Sequence, residues 1–145
     1  YAERGLYQDS AGLPMVFPDR LPNTRLAHEA TEYAYQKGKG SEFHRAVFDR
    51  YYGLGHDISQ WNVLKAVASE IGLDGANMQR EVESGKFGEV VRAHLEEAHE
   101  FGIEAVPTYI LNNEYAVVGA QPYERFVANL EEIERETGVQ FQRKQ

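Results

Sequence analysis

The sequence predicts an α+β protein that is mainly helical and ends in a β-hairpin followed by one more helix. Apolar residues recur at three- and four-residue spacing in successive segments between Pro22 and Phe101, which is the pattern of amphipathic helices. Over residues 108–118 the pattern changes to two short runs rich in β-branched and aromatic residues, which favour strands. Helical spacing returns after Pro122.

Helices are predicted throughout the segment before the hairpin, and each is followed by a glycine. Glycine adopts the left-handed conformation that ends a helix at little cost. The predicted helices begin at Asn23 or Thr24, at Ser41, near Asp57 or Ser59, at Asp74 and at about Gly88. The stripe of the second helix that is expected to face the core consists of Phe43, Val47, Phe48 and Tyr51.

The two strand-like runs, residues 108–111 and 115–118, flank the sequence Asn112-Asn113-Glu114. Asparagine tolerates positive φ, so a tight hairpin turn is predicted there. A final helix is predicted from Pro122 to Gly138. A hairpin alone is marginal in water, and its edges offer unpaired backbone groups. We therefore expect further strands, supplied by the N-terminal lead-in, by a segment upstream of this chain or by a second copy.

Composition excludes several classes of function. The formal net charge of -8 argues against nucleic acid as a partner, and no apolar run approaches the roughly 20 residues of a membrane span, so no membrane partner is expected. There is no cysteine, which excludes a disulfide, a cysteine nucleophile and a cysteine-based metal site within this chain. His94 and His99 are five residues apart instead of the four that a helical metal pair needs, so no metal site is predicted.

The absence of an Asn-x-Ser/Thr sequence favours a cytoplasmic protein. The chain begins with Tyr1 instead of Met, and no signal peptide is recognisable. We expect it to be processed, truncated or part of a longer protein.

Three segments carry a resemblance to a known family. The sequences Gly-Ile-Glu-Ala-Val-Pro-Thr-Tyr-Ile at 102–110 and Tyr-Ala-Val-Val-Gly-Ala-Gln-Pro at 115–122 resemble the C-terminal half of DsbA-family thioredoxin-fold proteins, especially the FrnE-like branch. The sequence Leu-Pro-Asn-Thr-Arg-Leu-Ala-His at 21–28 resembles the start of that branch's helical insertion. The resemblance covers about residues 18–135.

The resemblance implies a thioredoxin-like domain organisation. Residues 1–21 would be an irregular lead-in, residues 22–102 the helical insertion domain, and residues 103–145 the C-terminal half of the thioredoxin-like domain. The family's first half, which carries its Cys-x-x-Cys motif, has no matching positions here. The resemblance therefore assigns no catalytic residue to this chain, and the chain alone is expected to be inactive.

Val106 and Pro107 are the sharpest candidates for substrate binding. Pattern alone would place Pro107 in a trans bond at the first position of a strand, where a missing N–H is tolerated. The resemblance implies a cis bond instead. It also implies that the Val106 backbone lies beside the active thiol and pairs with the extended backbone of a peptide or of glutathione.

The other candidate substrate-binding residues are Asn23, Gly119, Ala120 and Gln121. Gly119, Ala120 and Gln121 precede a helix N-terminus, where an anion is favoured, and in glutathione-using relatives this region helps to hold the γ-glutamyl group. Without a bound thiol substrate, an ordinary strand-to-helix turn is the better interpretation. Asn23 is either a helix N-cap or a residue of the substrate groove, and capping is the better interpretation from the residues alone.

Three functions remain open. The first is part of a DsbA/FrnE-like thiol–disulfide oxidoreductase that acts on a disulfide- or thiol-containing substrate without a cofactor. The second is a glutathione-dependent isomerase or transferase of the 2-hydroxychromene-2-carboxylate isomerase or kappa class, in which glutathione would be the cofactor. The third is a non-enzymatic interaction module. We also expect a homo-oligomer, formed through an exposed strand edge or a helical face that includes some of the tyrosines.

Overall fold

The computed structural model describes residues 15–16 and 21–141. Most of the lead-in predicted for residues 1–21, and the last four residues of the domain predicted for 103–145, lie outside the described residues. The chain divides into two compact units, of which the first ends at Leu95 and the second begins at Glu96. The predicted boundary between 102 and 103 remains a prediction.

The first unit is helical. Its elements are α1 (Arg25–Gln36), α2 (Gly40–Phe48), a π-helix (Asp49–Gly53), α3 (Trp61–Glu70), α4 (Gly75–Glu83) and the beginning of α5 (Gly88–Glu100). Helix α1 contacts α2 and α4, and α3 contacts the same two helices, so these four helices form a closed ring. The side chains that fill its centre are fully buried and include Phe43, Leu64, Val67, Met78 and Phe87.

Helix α1 turns a face of small side chains towards this core. Ala30 and Ala34 are completely buried, which lets the backbones of neighbouring helices approach closely. Tyr33 adds a larger contact, because its ring meets the edge of Phe87 at a centroid distance of 6.0 Å. The Tyr33 hydroxyl accepts a hydrogen bond of 2.9 Å from the Asn77 side chain, so its polar end is satisfied inside the unit.

The prediction that Phe48 faces the core is wrong. Phe43 and Val47 are buried, but Phe48 is 49% exposed. Residues 43 and 47 are one helical turn apart, whereas residue 48 is about 100° further round the helix and so faces outward. The sequence pattern did not predict the π-helix over Asp49–Gly53. The wider turn of this helix places Tyr51 partly within the core.

The helix predicted near Asp57 or Ser59 begins at Trp61 instead. The Asp57 carboxylate accepts hydrogen bonds from the Ser59 amide at 3.0 Å and the Ser59 hydroxyl at 2.6 Å. These bonds hold a local turn ahead of the helix, which is a common alternative use of an aspartate that resembles an N-cap in sequence.

The second unit contains the predicted hairpin. Strands β1 (Thr108–Leu111) and β2 (Tyr115–Val118) pair antiparallel, with Thr108 opposite Val118 and Leu111 opposite Tyr115. Asn112 and Asn113 have φ values of 53° and 59°, as primed hairpin turns require. The hairpin and its turn are therefore confirmed. Helix α6 (Tyr123–Thr137) follows Pro122 and ends at Gly138, as predicted.

One face of the hairpin is partly covered by α6, and the other face is open. On the partly covered face Val117 is only 4% exposed, and Tyr109 packs against Phe126 of α6 at a ring distance of 4.9 Å while remaining 44% exposed. On the opposite face Ile110 is 41% and Val118 is 52% exposed. Among residues 15–16 and 21–141 these two strands form a sheet of their own.

Replacing Gly75 with alanine is expected to destabilise the first unit. A Cβ at this buried position would lie 3.0 Å from Cα and Cβ of Lys65, so α3 and α4 would have to move apart. We expect this strain to outweigh the gain in helix propensity and to lower the free energy of unfolding by about 1–2 kcal/mol in urea titrations. Ala76→Ser, on the exposed side of the same turn, should change it by less than about 0.5 kcal/mol. Equal stability of Gly75→Ala and wild type would show that α3 yields at Lys65.

Asp74 is expected to make the stability of the first unit depend on pH. Its carboxylate accepts 2.9 Å hydrogen bonds from the Asn77 and Ala76 amides at the start of α4. The Asn77 bond chiefly, together with the Ala76 bond and the Arg80 charge, holds the pKa of Asp74 below its usual value, against a smaller opposing effect of desolvation. A lowered folded-state pKa stabilises the fold above the unfolded-state pKa, and this contribution is lost as the pH falls through the folded-state value.

The variant Asp74→Asn tests this dependence, because it keeps an oxygen acceptor but cannot ionise. Wild type should be the more stable protein near about pH 6, and the difference between the two proteins should shrink steadily as the pH falls below the unfolded-state pKa of about 3.9. Urea titrations across this range measure the difference directly. A difference that stays constant with pH would contradict the expectation.

Candidate functional site

The second unit places Val106 and Pro107 immediately before β1, and the peptide bond between them is cis. Two short hydrogen bonds fix this entry into the strand. The Thr108 hydroxyl donates to the Ala105 carbonyl at 2.6 Å. The Gly119 amide donates to the Pro107 carbonyl at 2.7 Å, so two of the predicted site residues, Pro107 and Gly119, are brought into direct contact.

The same bond decides which backbone groups of β1 point outward. In an antiparallel ladder, hydrogen-bonded and non-bonded pairs alternate along the strands. Since Pro107 and Gly119 form a bonded pair, the N–H and C=O groups of Thr108 and Ile110 face away from β2. Val106 is 87% exposed, and neither its N–H nor its C=O has a hydrogen-bond partner within the described part of the chain. This edge can therefore receive an extended backbone.

The Gly119-Ala120-Gln121 segment connects β2 to α6. Gly119 has a φ of 82°, a conformation that favours glycine. The Gln121 side chain is engaged at both ends: its nitrogen donates to the Val118 carbonyl at 3.1 Å, and its oxygen accepts from the Asn129 side chain at 2.9 Å. Its carboxamide therefore holds the turn together, which favours the structural interpretation of this residue over direct ligand binding.

Sequence reasoning missed Asn129. It lies two turns into α6, so nothing in the local pattern linked it to Gln121 eight residues earlier. The available signal was that Asn129 is a polar residue between Phe126, Leu130 and Ile133, on the side of α6 that is at least partly buried. A polar group in such a position needs a partner.

Asn23 belongs to the first unit, at the start of α1. Its side-chain oxygen accepts a 3.0 Å hydrogen bond from the amide of Arg25, the first residue of the helix, whereas the N-cap position itself is Thr24 and makes no side-chain capping bond. Asn23 also lines a cavity of about 610 Å³ within this unit. Other charged or titratable side chains of the lining are Arg25, His28, Glu32, Glu89, Arg92 and His94.

The charges around this cavity largely neutralise one another. Arg25 pairs with the buried Glu29 at 2.7 Å, and His94 lies 3.6 Å from Glu32. Arg92 also pairs with Glu89. The cavity therefore favours neither an anion nor a cation, and the proposed groove function of Asn23 remains a prediction.

The described residues offer no alternative catalytic centre that binds a metal. Among residues 15–16 and 21–141 no group of three or more histidine, aspartate or glutamate side chains is arranged to hold a metal ion. Within that part of the chain no helix combines the length and apolar character that crossing a bilayer requires. The exposed backbone at Val106 is thus the feature with the clearest binding chemistry.

The engagement of Gln121 predicts that it stabilises the hairpin. Gln121→Ala would leave the Val118 carbonyl and the Asn129 amide without partners, and should lower the free energy of opening of the second unit by about 1–2 kcal/mol. Asn129→Ala should cost less, because it removes one of the two bonds. Native-state hydrogen exchange at the amide of the buried Val117 measures both effects. The double variant should show a coupling of at least about 0.5 kcal/mol, and strictly additive effects would contradict the network.

The chain is similar to a curated bacterial protein and to a solved enzyme structure. The curated protein YwbO of Bacillus subtilis (strain 168), described as uncharacterised, is 32% identical over 108 residues, which are 72% of this chain and 54% of that protein. The chain thus spans about half the length of this relative. A solved structure of a 2-hydroxychromene-2-carboxylate isomerase superposes with a TM-score of 0.76 at 18% identity, covering 94% of this chain and 66% of the isomerase. At that identity the likeness shows the fold alone.

A match to a family model covers most of the sequence. Residues 6–131 match the model described as a DSBA-like thioredoxin domain. Together with the superposition, this match confirms the thioredoxin-like α+β fold class that the sequence predicted. The chain belongs to the family of DSBA-like thioredoxin domains.

Proposed function

We propose that this chain is the substrate-aligning part of a DsbA-like thiol–disulfide oxidoreductase. The observation that carries the proposal is Val106, a residue that is 87% exposed and whose backbone N–H and C=O have no hydrogen-bond partner within the described residues. It lies at the entry to β1, directly before Pro107, whose carbonyl accepts the hydrogen bond from the Gly119 amide. Extended peptides bind to such edges through main-chain hydrogen bonds.

In the proposed reaction, a thiolate from a cysteine outside this chain attacks one sulfur of the substrate disulfide. A mixed disulfide forms, and the second substrate sulfur leaves as a thiolate. Val106 would hold the substrate backbone so that the attacked sulfur of the substrate disulfide lies in line with the incoming thiolate. The chain contains no cysteine, so its contribution is alignment, and it has no redox activity alone. Its coverage of 54% of the Bacillus relative is compatible with a nucleophile carried elsewhere in a longer protein.

A glutathione-dependent isomerase is the second candidate. The fold of the solved 2-hydroxychromene-2-carboxylate isomerase supports it, since the same edge could hold the peptide backbone of glutathione. The two hydrogen bonds of the Gln121 carboxamide favour a structural role for this side chain, within the segment that the resemblance linked to the γ-glutamyl group. We therefore favour the oxidoreductase.

Titration of the ¹⁵N-labelled chain, followed by NMR, separates the two functions. One probe is a short extended peptide with a disulfide-linked cysteine, and the other is S-methylglutathione, which cannot exchange. We expect the peptide to shift the amide signals of Val106 and Thr108. Shifts at these amides with S-methylglutathione but not with the peptide would favour the isomerase instead.

Two variants of Val106 test whether the backbone is what binds. Val106→Pro removes the N–H group and should weaken peptide binding at least about tenfold, which corresponds to the loss of one well-formed intermolecular hydrogen bond. Val106→Ala keeps the backbone and should bind within about threefold of wild type. Equal losses in both variants would show that the side chain is what binds, and would contradict backbone pairing.

A further inference from the structure

An exposed aromatic ridge runs along the outer side of α2 and the π-helix, and it has no part in the proposed function. It consists of Tyr35, His44, Phe48 and Tyr52. His44 and Phe48 stack with ring centroids 4.6 Å apart, and Phe48 and Tyr52 lie 5.5 Å apart. Tyr35 extends the ridge at its other end, because its ring lies directly over Gly40, one turn before His44.

The ridge is too exposed to be part of the core. Tyr35, Phe48 and Tyr52 are 54%, 49% and 36% exposed. Tyr52 is held in place by the partly buried Tyr51, whose ring meets it at 4.7 Å. Large aromatic side chains that are ordered by their neighbours and open to solvent are typical of contact surfaces between proteins.

The charges beside the ridge indicate what covers it. Arg45 of α2 and Asp49, the first residue of the π-helix, lie about one turn apart beside the line of His44 and Phe48, and both are exposed. Neither has an ion-pair or hydrogen-bond partner through its side chain within the described part of the chain. When a second copy of this helix lies antiparallel to the first, Arg45 of each copy comes opposite Asp49 of the other, so the two surfaces have complementary charges.

We propose that the ridge is the interface of a homodimer in which two copies of α2 pack antiparallel about a two-fold axis beside Phe48. In this arrangement Arg45 of each copy faces Asp49 of the other, so the contact contains two equivalent ion pairs. Phe48 of each copy inserts between His44 and Phe48 of the other, as ridges of i,i+4 side chains pack into grooves. The interface is isologous, and Val106 is not among the residues that form it.

Sedimentation equilibrium of the 145-residue chain tests the proposal. We expect wild type to form a dimer as its concentration rises from about 10 µM to about 500 µM, the range in which modest interfaces assemble. Phe48→Ser should raise the dimer dissociation constant at least about tenfold, because a central aromatic side chain is lost. A chain that stays monomeric over this range would overturn the proposal, and so would a dimer that Phe48→Ser does not weaken.

Charge reversal tests the antiparallel arrangement itself. Arg45→Asp puts an acidic side chain opposite Asp49 at both of the equivalent contacts in the dimer. Asp49→Arg puts a basic side chain opposite Arg45 at both contacts. Each variant should therefore weaken the dimer about tenfold. The double variant Arg45→Asp/Asp49→Arg restores both pairs and should return the dissociation constant to within about threefold of wild type. The three variants change only the exposed positions 45 and 49, and circular dichroism checks that each variant keeps the fold.

Arg125→Asp, at an exposed arginine of α6, is the matched control for Arg45→Asp and should leave dimerisation unchanged. Failure of the double variant to recover would overturn the antiparallel pairing. An equal loss in the control variant would show that net charge and not this surface governs association, and would overturn the interface. The Val106 titration is independent of all these outcomes, since no ridge residue takes part in it.

Discussion

The hydrogen bond from the Gly119 amide to the Pro107 carbonyl is the contact on which the second unit depends. It continues the register of the hairpin by one pair beyond Thr108 and Val118, and the register decides which side chains share a face. Tyr109 and Val117 are thereby directed towards α6, while Ile110 and Val118 lie on the open face. The same bond holds Pro107 directly after the exposed Val106, so one contact links the packing of the unit to its proposed binding edge.

Local chemistry was sufficient to predict the hairpin. Both strands and the turn follow from β-branched runs on either side of two asparagines, and the structure has the predicted strand limits. The helix ends at Gly38 and Gly138 were equally predictable, because glycine adopts the positive φ of a helix end more readily than other residues do. The Val106–Pro107 site was reached through family resemblance, since pattern alone would have placed a trans proline there.

What could not be predicted depends on contacts distant in sequence. Phe48 and Val47 are adjacent and both apolar, yet only Val47 is buried, because the positions of α1 and α3 decide which side of α2 becomes the inside. The Gln121–Asn129 bond likewise requires α6 to fold back beside the turn. In both cases the residue type allowed two environments, and tertiary packing selected one of them.

The two units satisfy their apolar surfaces to different extents, and this difference bears on how the chain could work. In the first unit four helices close into a ring and bury Phe43, Leu64 and Met78 completely. In the second unit a single helix covers one face of a two-stranded sheet, and the outer edge of β1 keeps backbone groups without partners in the described residues. The outer edge of β1 is therefore an open surface that can still form backbone hydrogen bonds. Alignment of an extended substrate therefore suits the second unit, whereas the first is suited to present fixed side chains on its outer helical surface.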